Sequence, residues 1–228
     1  NLVDNTTHIQ YALSNNSGTS NINGATSITT DAVAFDVYDY TAGGYALPTV
    51  NVNTTGKITG AIEVSESISN NLNISGGLFT AQIAEAWCAD GFFPTEVEID
   101  GNTYYTVHEG LLGSGTETDP FIIRSLGELK FFRDHVNAGK TTYNVEGVHV
   151  ALAANIDMAT EDWSVNIGDD CNKTFDGIFD GKGYTISNLN GTETAQKTDG
   201  YVCTGLFGAI YGNAVIKNLT IENVDINT

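Results

Sequence analysis

Positive charge is what this sequence has least of. Nine Lys and Arg stand against 28 Asp and Glu in 228 residues, a net charge of −19. That balance disfavours nucleic acid and anionic membrane surfaces as partners, because both would have to overcome repulsion at every approach. Arg124 and Arg133 are its two arginines, too few to suggest the cationic clamp of a lyase. Long apolar runs are missing too: none approaches the ~18 residues that cross a bilayer as a helix, so no membrane insertion by this segment is expected. The motifs of common catalytic centres are likewise absent. There is no G-x-S-x-G, no P-loop and no C-x-x-C, and His108-Glu109 lacks the second histidine of an H-E-x-x-H site. His8, His108, His135 and His149 are scattered without metal-ligand spacing and read as surface or helix residues. Low basic charge fits solubility in an extracellular setting, with cation binding as the alternative. The chain begins at Asn1 without Met and stops at Thr228 after a strand-like run. A processed or excised segment of a larger protein is therefore expected, with further coils or a cap beyond it.

What the sequence does have is short apolar runs of Ile, Val, Phe and Tyr, punctuated by Gly, Asn and Asp. They alternate with the strand period of two, with no competing helical period. The runs also repeat. Cys171, Phe175, Ile178 and Phe179 return as Cys203, Phe207, Ile210 and Tyr211 at a spacing of 32, and Ile186, Asn188 and Leu189 return as Ile216, Asn218 and Leu219 at a spacing of 30. In the first half, Val50 and Val52 return as Leu72 and Ile74 at a spacing of 22. Self-similarity of this kind predicts an all-β chain wound as a right-handed parallel β-helix, a solenoid in which each coil touches only its neighbours. Asn188 and Asn218 would then stack as an asparagine ladder.

Taken in order, residues 1–107 read as an irregular solenoid segment. Its polar start has an amphipathic turn at 8–13, and strands follow over 27–29, 33–38, 49–53, 57–64 and 71–79. A short helix over 83–89 and a hairpin turning at Asp100-Gly101 end it. Residues 108–118 are a Gly-rich linker, and 119–228 a second solenoid segment. The second segment carries one short capping or flanking helix. Ser125 and Glu128 form its capping box, Leu126, Leu129, Phe132 and Val136 its apolar face, and Gly139 its stop.

Gly205-Leu206-Phe207-Gly208, with F-D-G-I-F-D-G-K-G-Y-T-I-S-N-L before it and I-K-N-L-T-I-E-N-V after it, resembles the GLUG motif of secreted and surface-anchored bacterial proteins. The run from Gly113 to Ile123, L-A-A-N-I-D-M, Trp163 and Ile167-Gly168 resemble segments that accompany such repeats. The endings at Ser75 and Tyr104 resemble those in solenoids of gut bacterial proteins. The likeness covers roughly half of the chain. It implies a non-enzymatic, adhesin-like module, secreted or anchored at the cell surface, monomeric, with a host or bacterial surface glycan or protein as partner. It is specific for architecture rather than for function. The alternatives are a carbohydrate-active module that binds or cleaves polysaccharide, and a structural spacer of a surface or phage filament.

Few residues ask for a chemical role. Asp169, Asp170, Asp176 and Asp180 cluster around the turns of one coil. Two of them precede Gly, as tight turns prefer, and turn structure is the favoured reading. A Ca²⁺ site and a carboxylate pair for glycosidic chemistry are the others. No further cofactor is expected. If 32 residues make one coil, Cys171 and Cys203 lie about 4.8 Å apart, within reach of a disulfide; the plain reading is two buried thiols. Cys88 reads as a small buried hydrophobe. Trp87, Trp163, Tyr104, Tyr105, Tyr201 and Tyr211 are the aromatic candidates for a sugar platform, with Trp163 and Tyr211 read as core and Tyr104 and Tyr105 on opposite faces of a strand.

Overall fold

A computed structural model describes residues 10–169, 173–192 and 205–227. The chain is mostly β and divides into two compact units, residues 1–110 and 111–228.

Among the described residues the first unit holds seven strands: β1 (Tyr11–Asn15), β2 (Gly18–Gly24), β3 (Ile28–Val37), β4 (Pro48–Val64), β5 (Leu72–Phe79), β6 (Phe92–Ile99) and β7 (Asn102–Glu109). The first five pair in parallel: β1 with β3, β2 and β3 with β4, and β4 with β5. Val50 faces Leu72 and Val52 faces Ile74, the 22-residue spacing read from the sequence. Alternation explains the register. Val50, Val52, Leu72 and Ile74 all point into one core with Phe35, Ile58 and Phe79, and a one-residue slip would turn each row to water. The outward positions between them form an amide ladder. Asn51 donates to Asn21 (2.9 Å), and Asn73 donates to Asn51 (3.2 Å). β6 and β7 form the expected hairpin, antiparallel, turning on Asp100 (φ 52°) and Gly101 (φ 74°). Two expectations give way. The polar start is extended from Tyr11, where a turn was expected, because its backbone groups pair with β3. The helix expected over 83–89 shrinks to one 3₁₀ turn, Glu85–Trp87, since the segment is bound to β5 through Ala89 N–H and Ile74 C=O (2.9 Å).

The second unit starts with β8 (Phe121–Ile123) and helix α1 (Leu126–Asn137). Ser125 caps α1 by accepting the Glu128 N–H (3.1 Å). The Glu128 carboxylate accepts from the N–H of Arg124, one residue before the group a capping box would use, and also holds the Arg124 guanidinium. Gly139 ends the helix with φ 68°. The predicted apolar face lies in the core, where the Phe132 ring meets those of Phe175 (5.8 Å) and Phe179 (6.0 Å).

Among the described residues eight short strands follow: β9 (His149–Leu152), β10 (Ile156–Asp157), β11 (Ile178–Asp180), β12 (Thr185–Ser187), β13 (Asn190–Thr192), β14 (Val215–Lys217), β15 (Thr220–Glu222) and β16 (Asp225–Asn227). They stack in parallel rows: β8-β9-β11-β14, β10-β12-β15 and β13-β16. Val150 and Phe179 are fully buried, while Ile216 above them is 38% exposed, so the apolar row runs outward through the last tier.

The spacing between tiers departs from the sequence reading. Ile178 pairs with Val215, 37 residues on, and Ile186 pairs with Ile221, 35 on; neither matches 30 or 32. The reason lies in the turns. Asn218-Leu219 occupies the place of the four residues from Gly181 to Tyr184, while Asn188-Leu189 lies level with Asn223-Val224. Asn188, Asn218 and Asn223 all adopt φ between 53° and 56°, a left-handed corner that Asn tolerates. The N-L pair therefore marks the second corner of one tier (Asn188-Leu189) and the first corner of the next (Asn218-Leu219), so matching the two pairs slips the register by one strand. Asn223, in place of Asn218, stacks on Asn188 (3.3 Å), and Asn188 donates in turn to Asp157 (2.8 Å).

Candidate ligand-binding groove

β1, β3 and β4 run side by side at the edge of the first unit, bringing Ser14, Asp36 and Glu63 level with one another. Here a groove of about 410 Å³ opens, lined by Tyr11, Asp36, Val37, Tyr38, Ile62, Glu63, Val64, Ser65 and Trp87. Asp36 is only 6% exposed, and its Oδ1 has no hydrogen-bond partner among the described residues. Tyr11 donates its hydroxyl to Glu63 (3.5 Å), and burial, followed by the charges of Glu63 and Asp36, pushes that phenol above its usual pKa.

Beyond Val37 the chain leaves β3 and lays down an aromatic row. Tyr38, Tyr40 and Tyr45 are 51%, 46% and 55% exposed. Their ring centres lie 6.2 Å (Tyr38 to Tyr40) and 5.4 Å (Tyr40 to Tyr45) apart, the second pair stacked. The row is braced from below. Asp39 accepts from the N–H and hydroxyl of Thr41 (3.0 and 2.7 Å) and from the Ser67 hydroxyl (2.9 Å), and these bonds hold its carboxyl below the ordinary range. The Tyr40 ring lies against Gly43, where a Cβ would come within 2.7 Å of it. Glycine there lets the ring lie flat on the loop.

The residues singled out from the sequence are distributed otherwise. Trp87 is half-buried at the groove, Tyr105 packs on the first core, and Tyr104 holds Lys57 over its ring (4.3 Å). Trp163 is core, donating to the Leu206 carbonyl (3.3 Å) beneath the Arg133 guanidinium. Tyr211, expected in the core, is 72% exposed, because Ile216 and not Tyr211 takes the place next to Phe179. Cys88 is half-buried, and burial together with Glu85 pushes its thiol up to about 12, which leaves it protonated. Tyr201, Asp170, Cys171 and Cys203 lie outside the described residues.

The remaining aspartates do not converge on one site, and the buried Oδ1 atoms of Asp169 and Asp176, like that of Asp36, have no hydrogen-bond partner among the described residues. Asp169 pairs with Lys173 (3.9 Å), the Asp176 N–H donates to Asn144 (2.8 Å), and Asp180 sits between Lys182 (3.3 Å) and Lys217 (3.6 Å). No three His, Cys, Asp or Glu side chains among the described residues come together as a metal site. Burial alone would raise the Asp180 carboxyl. The Asn218 amide, the Lys182 N–H and the Lys182 ammonium outweigh it and bring it down to about 2. A group lowered on folding stabilises above its unfolded pKa of about 3.9 and stops doing so as pH falls through the folded value. Urea unfolding should therefore show about 1–2 kcal/mol lost between pH 4 and pH 2 through this group, and D180N should remove that part of the slope. An unchanged slope in D180N would refute the assignment.

What the sequence reading missed is the groove's own set: Tyr11, Asp36, Tyr38, Tyr40, Tyr45 and Glu63. One signal was available, the run V-Y-D-Y-T-A-G-G-Y from Val37, three tyrosines in eight residues with paired glycines.

Over 178 residues, 73% of the chain, the sequence is 30% identical to Halomucin of Haloquadratum walsbyi, and it spans 2% of that protein's length. No family model and no solved structure matches it. Among the described residues no helix is long and apolar enough to cross a membrane.

Proposed function

We propose that this chain is a non-enzymatic, adhesin-like binding module carried outside the cell on a larger surface protein, each unit a stack of parallel β-solenoid coils. The observation that carries the binding role is the groove. A braced row of exposed tyrosines runs beside a buried carboxylate oxygen that has no partner among the described residues, a combination a mere spacer does not need. Parallel rows with Asn and apolar ladders support the solenoid reading. So does the place of the GLUG-like segment: Leu206 is core, and Gly208 packs where a Cβ would lie 2.7 Å from the Gly168 carbonyl. The likeness to Halomucin supports a surface-associated role. Asp36 and Glu63 on neighbouring strands also favour a second reading, polysaccharide cleavage by a carboxylate pair.

One experiment separates these. Beads coated with the chain should adhere to layers of immobilised polysaccharide or glycoprotein, and the Y40A/Y45A variant should adhere several-fold less. Equal adhesion by that variant would overturn the binding role of this face. Release of shortened glycan chains that stops in E63Q would replace it with the enzymatic reading.

A further inference from the structure

We propose that the Tyr11–Asp36–Trp87 groove, with the tyrosine row beside it, binds uncharged hexose residues of a glycan chain. The inference rests on the binding-module reading above and names its ligand.

Three features select that chemistry. Asp36 lines the groove, and its buried Oδ1 has no donor among the described residues, so a ligand O–H or N–H that reaches it would satisfy an oxygen otherwise left bare. Glu63 and Ser65 add polar atoms to the same wall, and a sugar ring presents hydroxyl donors along its rim. Next, Tyr38, Tyr40 and Tyr45 offer flat, rigid, partly apolar surfaces spaced 5.4–6.2 Å apart. A pyranose carries C–H groups on its faces, so successive rings of one chain could rest on successive tyrosines. Finally, no Lys, Arg or His lines the groove among the described residues, and the whole chain carries −19. Uronic, sulfated and sialylated chains would meet two carboxylates with no counter-charge. The groove's volume lies in the ~300–1,000 Å³ range of small-ligand sites, and most of its lining stands on the paired strands β1, β3 and β4, so little ordering is needed on binding. A metal ion fits less well, since no third acidic or histidine ligand joins Asp36 and Glu63 among the described residues.

The test is calorimetric titration of the intact chain, with Trp emission followed in parallel. The titrants are neutral β-glucan, mannan and galactan oligosaccharides, polygalacturonate and heparin oligosaccharides, and calcium chloride alone. The expected result is saturable binding of at least one neutral series and none of the anionic ones. Affinity should drop at least tenfold in Y40A/Y45A and several-fold in D36N, with Y211A unchanged. Circular dichroism checks that each variant is folded, and the tyrosine pair is exposed enough that its loss should not unfold the unit. Groove-dependent binding of the anionic series would overturn the ligand class and leave the binding module standing. Neutral-glycan binding indifferent to both groove variants would overturn the site. Heat from calcium alone that D36N abolishes would overturn the inference in favour of a cation site. No binding to any of these, with bead adhesion retained, would overturn the glycan and point to a protein ligand; loss of both would overturn the binding module as well.

Discussion

Replacing Phe179 with alanine should destabilise the second unit by about 3–5 kcal/mol. The ring is fully buried, with Val150 and Ile216 as its neighbours on the flanking strands. It also touches the rings of Phe132 on α1 (6.0 Å) and of Phe207 (5.3 Å), so one truncation opens space between helix and strands together. Rigid parallel strands on both sides limit collapse into that space, which places the cost toward the upper end of the range. Trp163 is the second unit's tryptophan and Trp87 the first's, so a W87F background lets emission in urea report on the second unit alone. A midpoint unchanged by F179A in that background would refute the packing described.

Gly168→Ala should cost about 2–4 kcal/mol, although it adds a single methyl group. Gly168 has φ +71°, a conformation that costs an alanine roughly 1–2 kcal/mol. Its Cβ would also lie 2.3 Å from the Ala209 carbonyl oxygen and 3.0 Å from the Phe175 nitrogen. Neither neighbour is free to move. The Ala209 N–H donates to the Gly168 carbonyl (2.7 Å), the Phe175 N–H to the Ala209 carbonyl (2.9 Å), and the Gly168 N–H to the Asn137 side chain at the end of α1 (2.9 Å). The same Trp163 titration should show the loss, and Gly139→Ala gives a useful contrast. That position has a similar φ with nothing within 4 Å of its Cβ, so only the backbone cost should appear there. Equal losses at the two glycines would mean that the contact with Ala209 carries no weight.

Some of this architecture was legible because local chemistry leaves one solution. Asp100-Gly101 between alternating runs can hardly be other than a tight hairpin turn, and both residues take positive φ. Ser125 and Glu128 fix where α1 begins, and Leu129, Phe132 and Val136 fix which side of it is buried. Val50, Val52, Leu72 and Ile74 set their own register, because each pair must enter the same core. Those contacts depend on residue type and spacing along a few neighbouring positions.

Tertiary structure decided the rest. The second unit's register could not be read by matching like with like, because the Asn-Leu pair sits at the second corner of one tier and the first corner of the next, and the backbone, not the side-chain string, chooses which strands lie side by side. A four-residue turn over 181–184 answered by the two residues Asn218-Leu219 is invisible until the strands are paired. The groove was hidden for a related reason. Tyr11, Asp36, Glu63 and Trp87 come from four separated segments, and only parallel stacking of β1, β3 and β4 sets the first three side by side. Periodicity in a sequence records which side of a strand is buried. It does not record which distant strand comes to lie beside it, and a site built across strands depends on that.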